Sequence, residues 1–296
     1  MRKKQAPGGR AKKDNLLNRE LSGRLTTFLL ILLFLAGLSL MLFPTVSDVS
    51  NSYQASRDIT DYAESVQSIP DEDYSAYIRA AQDYNRRMAE AGTQYHLADA
   101  ERVEYNRLLD ITGTGIMGYI SIPAIDVSLP IYHGTEESIL SKAVGHLDWT
   151  SLPVGGGTSH CVLSGHRGLP TARLFTNLDK LAEGDTFMLQ ILNETFTYQV
   201  DQILVVLPEE SEELALIDGQ DCCTLVTCTP YGINTHRLLV RGRRIENAPD
   251  TPSVIILSDA RLLQPFWVAL MIGVPMYLLF LAFYFVFRKK PDEGQD

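Results

Sequence analysis

Residues 224–242 read TLVTCTPYGINTHRLLVRG, and this stretch predicts both the fold class and the position of a candidate functional site. Two apolar runs flank a segment rich in Pro, Gly and Asn, which predicts two antiparallel strands joined by a short connection. Cys228 ends the first run and Arg237 begins the second, with eight residues, 229–236, between them. Because the ends of such strands lie side by side, we expect a thiol and a guanidinium to project into one site.

The segments around this stretch have the same character. Short runs rich in β-branched and aromatic residues, punctuated by Pro and Gly, cover residues 118–133, 160–166, 186–192, 195–207 and 236–245. Only brief helical connections, such as TARLFTNLDKL, fit between them. The sequence therefore predicts a mainly β fold, an eight-stranded barrel that is closed or nearly closed, over residues 117–248.

An N-terminal helical arm, residues 44–116, is expected before the barrel. The apolar positions of DYSAYIRAAQDYNRRMAEA recur at helical spacing and form one face. These positions are Tyr74, Tyr77, Ile78, Ala81, Tyr84 and Met88. After the breaker AGTQYH, the stretch LADAERVEYNRLLDI continues the helical pattern over residues 97–111.

Two uncharged stretches predict transmembrane helices. Residues 25–43 carry no charge over 19 positions and residues 266–287 carry none over 22, and each is long enough to cross a bilayer. Eight Lys or Arg residues lie in the first 24 positions and RKK follows the second stretch, so both tails, 1–24 and 288–296, are expected in the cytoplasm. Everything between the spans, including a linker at 249–265, is then extracellular. A cleaved signal peptide is the alternative for the first stretch, but no A-x-A site follows it.

Charge and cysteine content narrow the function classes. The formal net charge is −10 although the N-terminal tail is basic, and so acidic an exterior argues against nucleic acid as a partner. The cysteines are Cys161, Cys222, Cys223 and Cys228. Three of them lie within seven residues, which suits a disulfide framework poorly. Free thiols are expected, with a bridge from Cys161 to Cys222 or Cys223 as the alternative.

Cys228 and Arg237 are the residue types of a nucleophile and an oxyanion stabiliser. A thiol is mostly protonated at neutral pH, and a neighbouring guanidinium favours the thiolate and binds the oxygen that becomes negative when a carbonyl is attacked. Cleavage of an amide also needs a proton carrier. Among six histidines His166 stands out, because it ends the strand-like HCVLSGH before the turn RGLP. If this strand is a parallel neighbour of CCTLVTC, the ends of the two strands coincide.

Structural alternatives exist for each of these residues. Cys228 could be a small buried hydrophobe, His166 a hydrogen-bonded surface residue and Arg237 a solvated strand charge. Zinc bound by Cys and His is a further alternative, but CxxC and HxxxH spacings do not occur. We therefore expect no metal site.

Three long motifs are similar to those of a known family, the sortases. TLVTCTPYGINTHRLLVRG resembles the sortase signature, and its continuation from residue 229 resembles that of class C, the pilus-assembling group. GHLDWTSLPVGGGTSHCVLSGHRGLP, residues 145–170, resembles that group's histidine segment, and GYISIPAIDVSLPIYHGT, residues 118–135, its opening strands. A second, C-terminal membrane span is also a class C feature.

The resemblance implies a sortase β-barrel with three catalytic residues. Cys228 is the implied nucleophile, His166 the implied acid and base, and Arg237 the implied substrate or oxyanion stabiliser. Thr227, which precedes the nucleophile in the TLxTC pattern, is a candidate for substrate binding. His146 and His236 also lie in the motifs but are expected to be structural.

The resemblance also implies a cofactor-free transpeptidation outside a Gram-positive membrane. Cys228 attacks the Thr–Gly bond of an LPXTG-like sorting signal on a pilin or another surface protein, His166 protonates the departing glycine amine, and a thioester results. A lysine amine of another pilin then resolves the thioester to an isopeptide bond. The alternatives are a sortase that attaches surface proteins to the cell-wall precursor, and a non-catalytic membrane-anchored scaffold.

One feature departs from the class C pattern. Members of that class carry a lid with an Asp-Pro-aromatic motif before the barrel, and residues 45–116 contain no such tripeptide. Tyr95 and His96, between the two arm helices, lie where a lid would be expected. Either one of them plugs the site or the site is open, and an ordinary helix connection is the simplest alternative.

Overall fold

The computed structural model describes residues 8–93, 95–247, 273–281, 283 and 284. These residues fall into two compact units, one made of residues 47–247 and the other of residues 8–46 with the described residues from 273 onward, and each is considered by itself. The helices are α1 Gly8–Gln67, α2 Asp71–Ala91, α3 Asp99–Tyr105 and α4 Glu137–Leu140. The strands are β1 Ile116–Ile122, β2 Val127–His133, β3 Val144–His146, β4 Ser159–Ser164, β5 Thr186–Ile191, β6 Glu194–Val206, β7 Asp221–Thr229 and β8 His236–Ile245.

The eight strands form one closed barrel, as predicted. Their order around the barrel is β1-β2-β3-β4-β7-β8-β6-β5. The β2–β3 and β4–β7 pairs are parallel, and the other pairs are antiparallel. The short strand β3 has no distinct signal in the sequence, because three residues are too few to show an alternating pattern.

Successive side chains of each strand point to opposite faces of the sheet. On β7, Cys223 and Leu225 are fully buried in the main core, whereas Val226 belongs to a second apolar cluster on the other face. Since the side-chain period of a strand is two, Cys228 lies on the same face as Val226. The thiol of Cys228 is therefore directed away from the barrel interior.

The helical arm packs against the barrel through its predicted apolar faces. On α1, Ala55, Ile59, Tyr62 and Val66 recur at helical spacing and are buried. The hydroxyl of Tyr62 donates to the carbonyl of Met117 at 2.7 Å, which joins the arm to β1. On α2 the predicted face is confirmed except at its edge, where Tyr77 is 40% exposed.

The helix predicted over residues 97–111, which corresponds to α3, is shorter than predicted. The pattern over 97–111 predicts about four turns, yet α3 ends at Tyr105. Leu109 has a φ of 65°, a left-handed conformation that no helix can continue through, and its side chain is fully buried instead. Burial of this leucine therefore overrides the local helical preference.

One described helix is apolar and long enough to cross a membrane. It covers residues 25–67, which includes the predicted first span, and its apolar window is unburied. Within the predicted second span, residues 273–281, 283 and 284 are helical, and the remaining positions lie outside the described residues. The linker at 249–265 and the tail at 288–296 also lie outside them.

Candidate active site

Cys228 and Arg237 face each other across two antiparallel strands. The β7–β8 register places them directly opposite, as the spacing in the sequence predicts. The thiol is half-buried. One terminal nitrogen of the guanidinium donates to the carbonyls of His236 at 3.2 Å and Asn234 at 3.4 Å, which holds it at the strand end.

The guanidinium of Arg237 is available to a ligand. Among the described residues, the ion pairs of β8 are made by Arg241 and Arg243 with Asp201, and Arg237 takes no part in them. A carbonyl oxygen is a weaker partner for a cation than a carboxylate, so an incoming anion can replace it. Arg237 is therefore suited to bind an oxyanion that forms beside Cys228.

His166 is carried to the same end of the barrel by β4. The predicted parallel pairing is confirmed, since Ser164 lies opposite Val226. The amide of Gly165 donates to the carbonyl of Val226 at 3.1 Å, and the hydroxyl of Thr227 donates to the carbonyl of Gly165 at 2.7 Å. Two hydrogen bonds thus fix the turn that bears His166 to the strand that bears the thiol.

The imidazole of His166 has an acidic neighbour that the sequence did not indicate. Its Nε2 lies 3.2 Å from a carboxylate oxygen of Glu137, the first residue of α4. The imidazole side chain is 27% exposed and the carboxylate 79%. The carboxylate can accept the ring N–H and so help to orient the ring. Because 29 positions separate the two residues, no local motif connects them.

Thr227 is buried and already engaged. Only 2% of the residue is exposed, and its hydroxyl is bonded to Gly165. Its described contact therefore holds the histidine turn in place, and direct substrate binding by Thr227 stays a prediction.

Two further histidines of the motifs, His146 and His236, have neighbours that suit structural roles. His146 is fully buried, and its ring nitrogens lie 2.9 Å from the hydroxyl of Tyr105 and 2.8 Å from the carbonyl of Ser151. His236 is half-buried and contacts the hydroxyl of Thr235 at 2.9 Å.

An apolar cluster lies on the outward face of the sheet, the face that also carries Cys228. We name it the apolar floor, and its buried members are Val162, Val226, Leu239 and Leu214. Leu214 comes from the β6–β7 connection, and Trp149 packs against the cluster from the β3–β4 connection. Its four buried members are at most 9% exposed, so the apolar floor packs the outward face of the sheet near Cys228 rather than forming an open binding surface.

The other cysteines are free thiols inside the fold, as expected. Cys161 and Cys223 lie opposite each other on β4 and β7, unbridged, and both are buried, as is Cys222. Burial raises the pKa of the Cys222 and Cys223 thiols, which disfavours the reactive thiolate. Within the described part of the chain, no three His, Cys, Asp or Glu side chains form a group that could hold a metal ion.

The connection between α2 and α3 packs beside the apolar floor. Tyr95 is 41% exposed and contacts the ring of Trp149 edge-on, with 5.3 Å between ring centroids. The hydroxyl of Thr93 accepts the amide of Leu216 at 3.3 Å, and His96 is exposed. These contacts join the connection to the β6–β7 segment, and plugging of the site by Tyr95 or His96 stays a prediction.

A half-buried thiol, an imidazole and a guanidinium that forms no ion pair among the described residues lie at one end of a closed β-barrel, which is the arrangement expected of an enzyme with a cysteine nucleophile. Comparison with known proteins agrees with this class. Residues 120–245 match the sortase domain profile. Among curated proteins, sortase D of Bacillus subtilis is 30% identical over 131 residues, which is 43% of this chain and 63% of that protein. The chain thus spans less than two thirds of that relative.

Solved structures give a longer match. Sortase C1 from Streptococcus agalactiae is 52% identical with a TM-score of 0.64, over 65% of this chain and all of that chain. Sortase C from Streptococcus pneumoniae, whose structure is described as informative on catalysis and pilin substrate specificity, is 43% identical with a TM-score of 0.59, over 65% of this chain and 99% of that one. The chain belongs to the sortase family, and both of these structural neighbours are sortases C.

Proposed function

We propose that the protein is a membrane-anchored transpeptidase that cleaves an LPXTG-like sorting signal between Thr and Gly and joins pilin subunits through a lysine isopeptide bond. The observation that carries the proposal is the placement of three groups. Cys228 lies opposite Arg237, and the turn that bears His166 is hydrogen-bonded to the same strand.

In the first half of the reaction, the thiol of Cys228 transfers its proton to His166, and the sulfur attacks the threonine carbonyl carbon of the signal. The carbonyl oxygen becomes negative, and the guanidinium of Arg237 binds it in place of its backbone carbonyl partners. The C–N bond to glycine then breaks, and His166 gives the departing amine its proton. The result is a thioester on Cys228 and a free glycine amine.

In the second half, a lysine side chain of another subunit replaces the departed fragment. His166 accepts a proton from the attacking amine, which adds to the thioester carbonyl. The oxygen again becomes negative next to Arg237, and collapse of this intermediate releases the sulfur of Cys228, which takes up the proton from His166. An amide between threonine and the lysine side chain is formed, and the enzyme returns to its starting state.

Pilin is the proposed substrate because sortases C are among the similar solved structures, and one of them is described in terms of pilin specificity. A sortase that uses the cell-wall precursor as acceptor would have the same thiol, histidine and arginine. A non-catalytic scaffold would not need Arg237 free of a carboxylate or a half-buried thiol beside it. The acceptor is therefore the point to test.

We also propose a two-pass arrangement in the membrane, with both termini in the cytoplasm and the barrel outside. The described helix over residues 25–67 supports the first span, and the basic residues before it support a cytoplasmic N-terminus. The uncharged stretch 266–287 followed by RKK supports the second span. Labelling of single cysteines placed in the two tails, with an impermeant maleimide on intact cells, tests the arrangement: reaction before lysis would contradict it.

The functional experiment uses the full chain in detergent micelles with an LPXTG-type peptide and a lysine-bearing pilin domain. Mass spectrometry should find a new bond between the threonine carbonyl and the lysine Nζ, together with the released glycine fragment. Cys228→Ala should abolish both products, whereas Cys222→Ala, which removes a buried thiol from the same strand, should keep them. Absence of peptide cleavage by the intact chain contradicts the enzyme, and transfer only to a cell-wall precursor supports the alternative sortase.

A further inference from the structure

Arg167, the residue after His166, has a largely buried side chain that contacts two other segments, one with Asp179 and one with Thr229. Its side chain is only 9% exposed. One terminal nitrogen donates to a carboxylate oxygen of Asp179 at 2.6 Å, and the other donates to the hydroxyl of Thr229 at 3.2 Å. Thr229 directly follows Cys228 in the chain. The guanidinium therefore joins the histidine turn to the residue next to the nucleophile.

The histidine turn also touches the β7–β8 connection at a second point. The guanidinium of Arg167 lies 6.0 Å from the ring centroid of Tyr231, at the limit of a cation–π contact. A Cβ at Gly168 would lie 3.2 Å from this ring, and Gly168 has a φ of 77°. Only glycine meets both demands easily, so the turn and the β7–β8 connection approach closely here.

The hydrogen bonds of Arg167 differ in their arrangement from those of Arg241, whose ion pair joins two strands of the barrel. Arg241 binds Asp201 through two nitrogens, at 3.0 and 2.9 Å, so both of its bonds end on one carboxylate. Arg167 instead donates one bond to the carboxylate of Asp179 and the other to the hydroxyl of Thr229, which lie in different segments. Asp179 provides the counter-charge that a buried guanidinium requires.

We propose that Arg167 is a positioning residue, which fixes the imidazole of His166 relative to the thiol of Cys228 by bridging Asp179 and Thr229. The inference rests on the proposed function, since it assigns the bridge to the same reaction. Proton transfer between the two groups depends on their separation, and a misplacement of about 1 Å can cost roughly 100-fold in rate. Arg167 itself contacts neither the bond that breaks nor the oxygen that becomes negative.

The test compares Arg167→Lys with Arg241→Lys in the full chain. Both variants keep the charge and lose the guanidinium fork, so both should lower the melting temperature. Arg167→Lys should lower kcat for peptide cleavage by about 10- to 100-fold with KM changed less than about twofold, whereas Arg241→Lys should leave kcat within about twofold. Equal kcat values for the two variants would overturn the inference.

A second variant keeps the test valid if Arg167→Lys does not fold. Thr229→Val removes only the hydroxyl partner of Arg167 and leaves every charge in place. A selective loss of kcat supports the bridge, and an unchanged kcat overturns it. Failure of the proposed function is a separate outcome, because the unmodified chain would then release no glycine fragment from the peptide.

Discussion

Replacing Thr227 by valine should loosen the turn that carries His166 while leaving Cys228 and Arg237 unchanged. The substitution removes one hydroxyl from a residue that is 2% exposed and is nearly equal in volume, so it creates almost no cavity. The hydroxyl donates to the carbonyl of Gly165 at 2.7 Å, and Gly165 is itself buried. An unsatisfied buried carbonyl costs about 1 to 3 kcal/mol.

That cost can be measured in two ways. For a domain of this size, each kcal/mol corresponds to about 2 to 4 °C in melting temperature, so the valine variant should melt about 2 to 12 °C lower. Because the lost bond positions the histidine turn, kcat for peptide cleavage should also fall by about 10- to 100-fold. Calorimetry and a fluorogenic sorting-signal peptide provide the two readouts.

Thr224→Val is the matched control. Thr224 is 1% exposed on the same strand, and its hydroxyl lies 2.7 Å from Nε2 of His160, away from the reactive end. This variant should lose similar stability and keep its turnover. If Thr227→Val retains as much activity as Thr224→Val, the reasoning that ties the turn to catalysis is refuted.

Three further predictions follow from the site and its surroundings. Iodoacetamide should modify one thiol of the native chain, Cys228, and four after denaturation; more than one modified thiol under native conditions would contradict the described burial. Arg237→Lys should lower kcat/KM by about 100- to 1000-fold, because an ammonium cannot replace the planar fork, while the half-exposed Arg243→Lys should have little effect; equal values would remove Arg237 from the mechanism. Burial lowers the pKa of His160 from its ordinary 6.5, so the unfolded chain takes up the proton first, and this residue's contribution to the free energy of unfolding should decline as pH falls below about 6.5, by at most about 1.4 kcal/mol per pH unit; burial lowers the pKa of His133 in the same direction. His160→Gln should flatten this decline and the exposed His96→Gln should not, as thermal melts between pH 5 and 8 in roughly half-unit steps can check.

The barrel and the opposing Cys228–Arg237 pair were predictable because they depend on local patterns. Alternating apolar residues and a turn of fixed length determine how two neighbouring strands pair. The placement of His166 at the same end of the barrel as Cys228 could be predicted only on the condition that their two strands pair. Parallel strands far apart in the chain carry no local signal of such pairing. The pairing of β4 with β7 meets that condition.

Contacts between distant segments could not be predicted. Arg167 reaches Thr229 across 62 positions, and Glu137 reaches His166 across 29. Neither contact has a periodicity or a motif of its own, because each depends on how loops fold over the end of a closed barrel. The early end of α3 has a similar cause, since burial of Leu109 competes with the helical preference of the sequence.

The central claim is that Cys228 forms a covalent acyl intermediate. Intact-mass spectrometry of the full chain, quenched in acid during turnover of an LPXTG-type peptide, tests it most directly. The account predicts a mass increase equal to the peptide up to its threonine, located on Cys228 and released by hydroxylamine as a thioester is. Product formation without this adduct, or the same adduct on Cys228→Ala, would contradict the account.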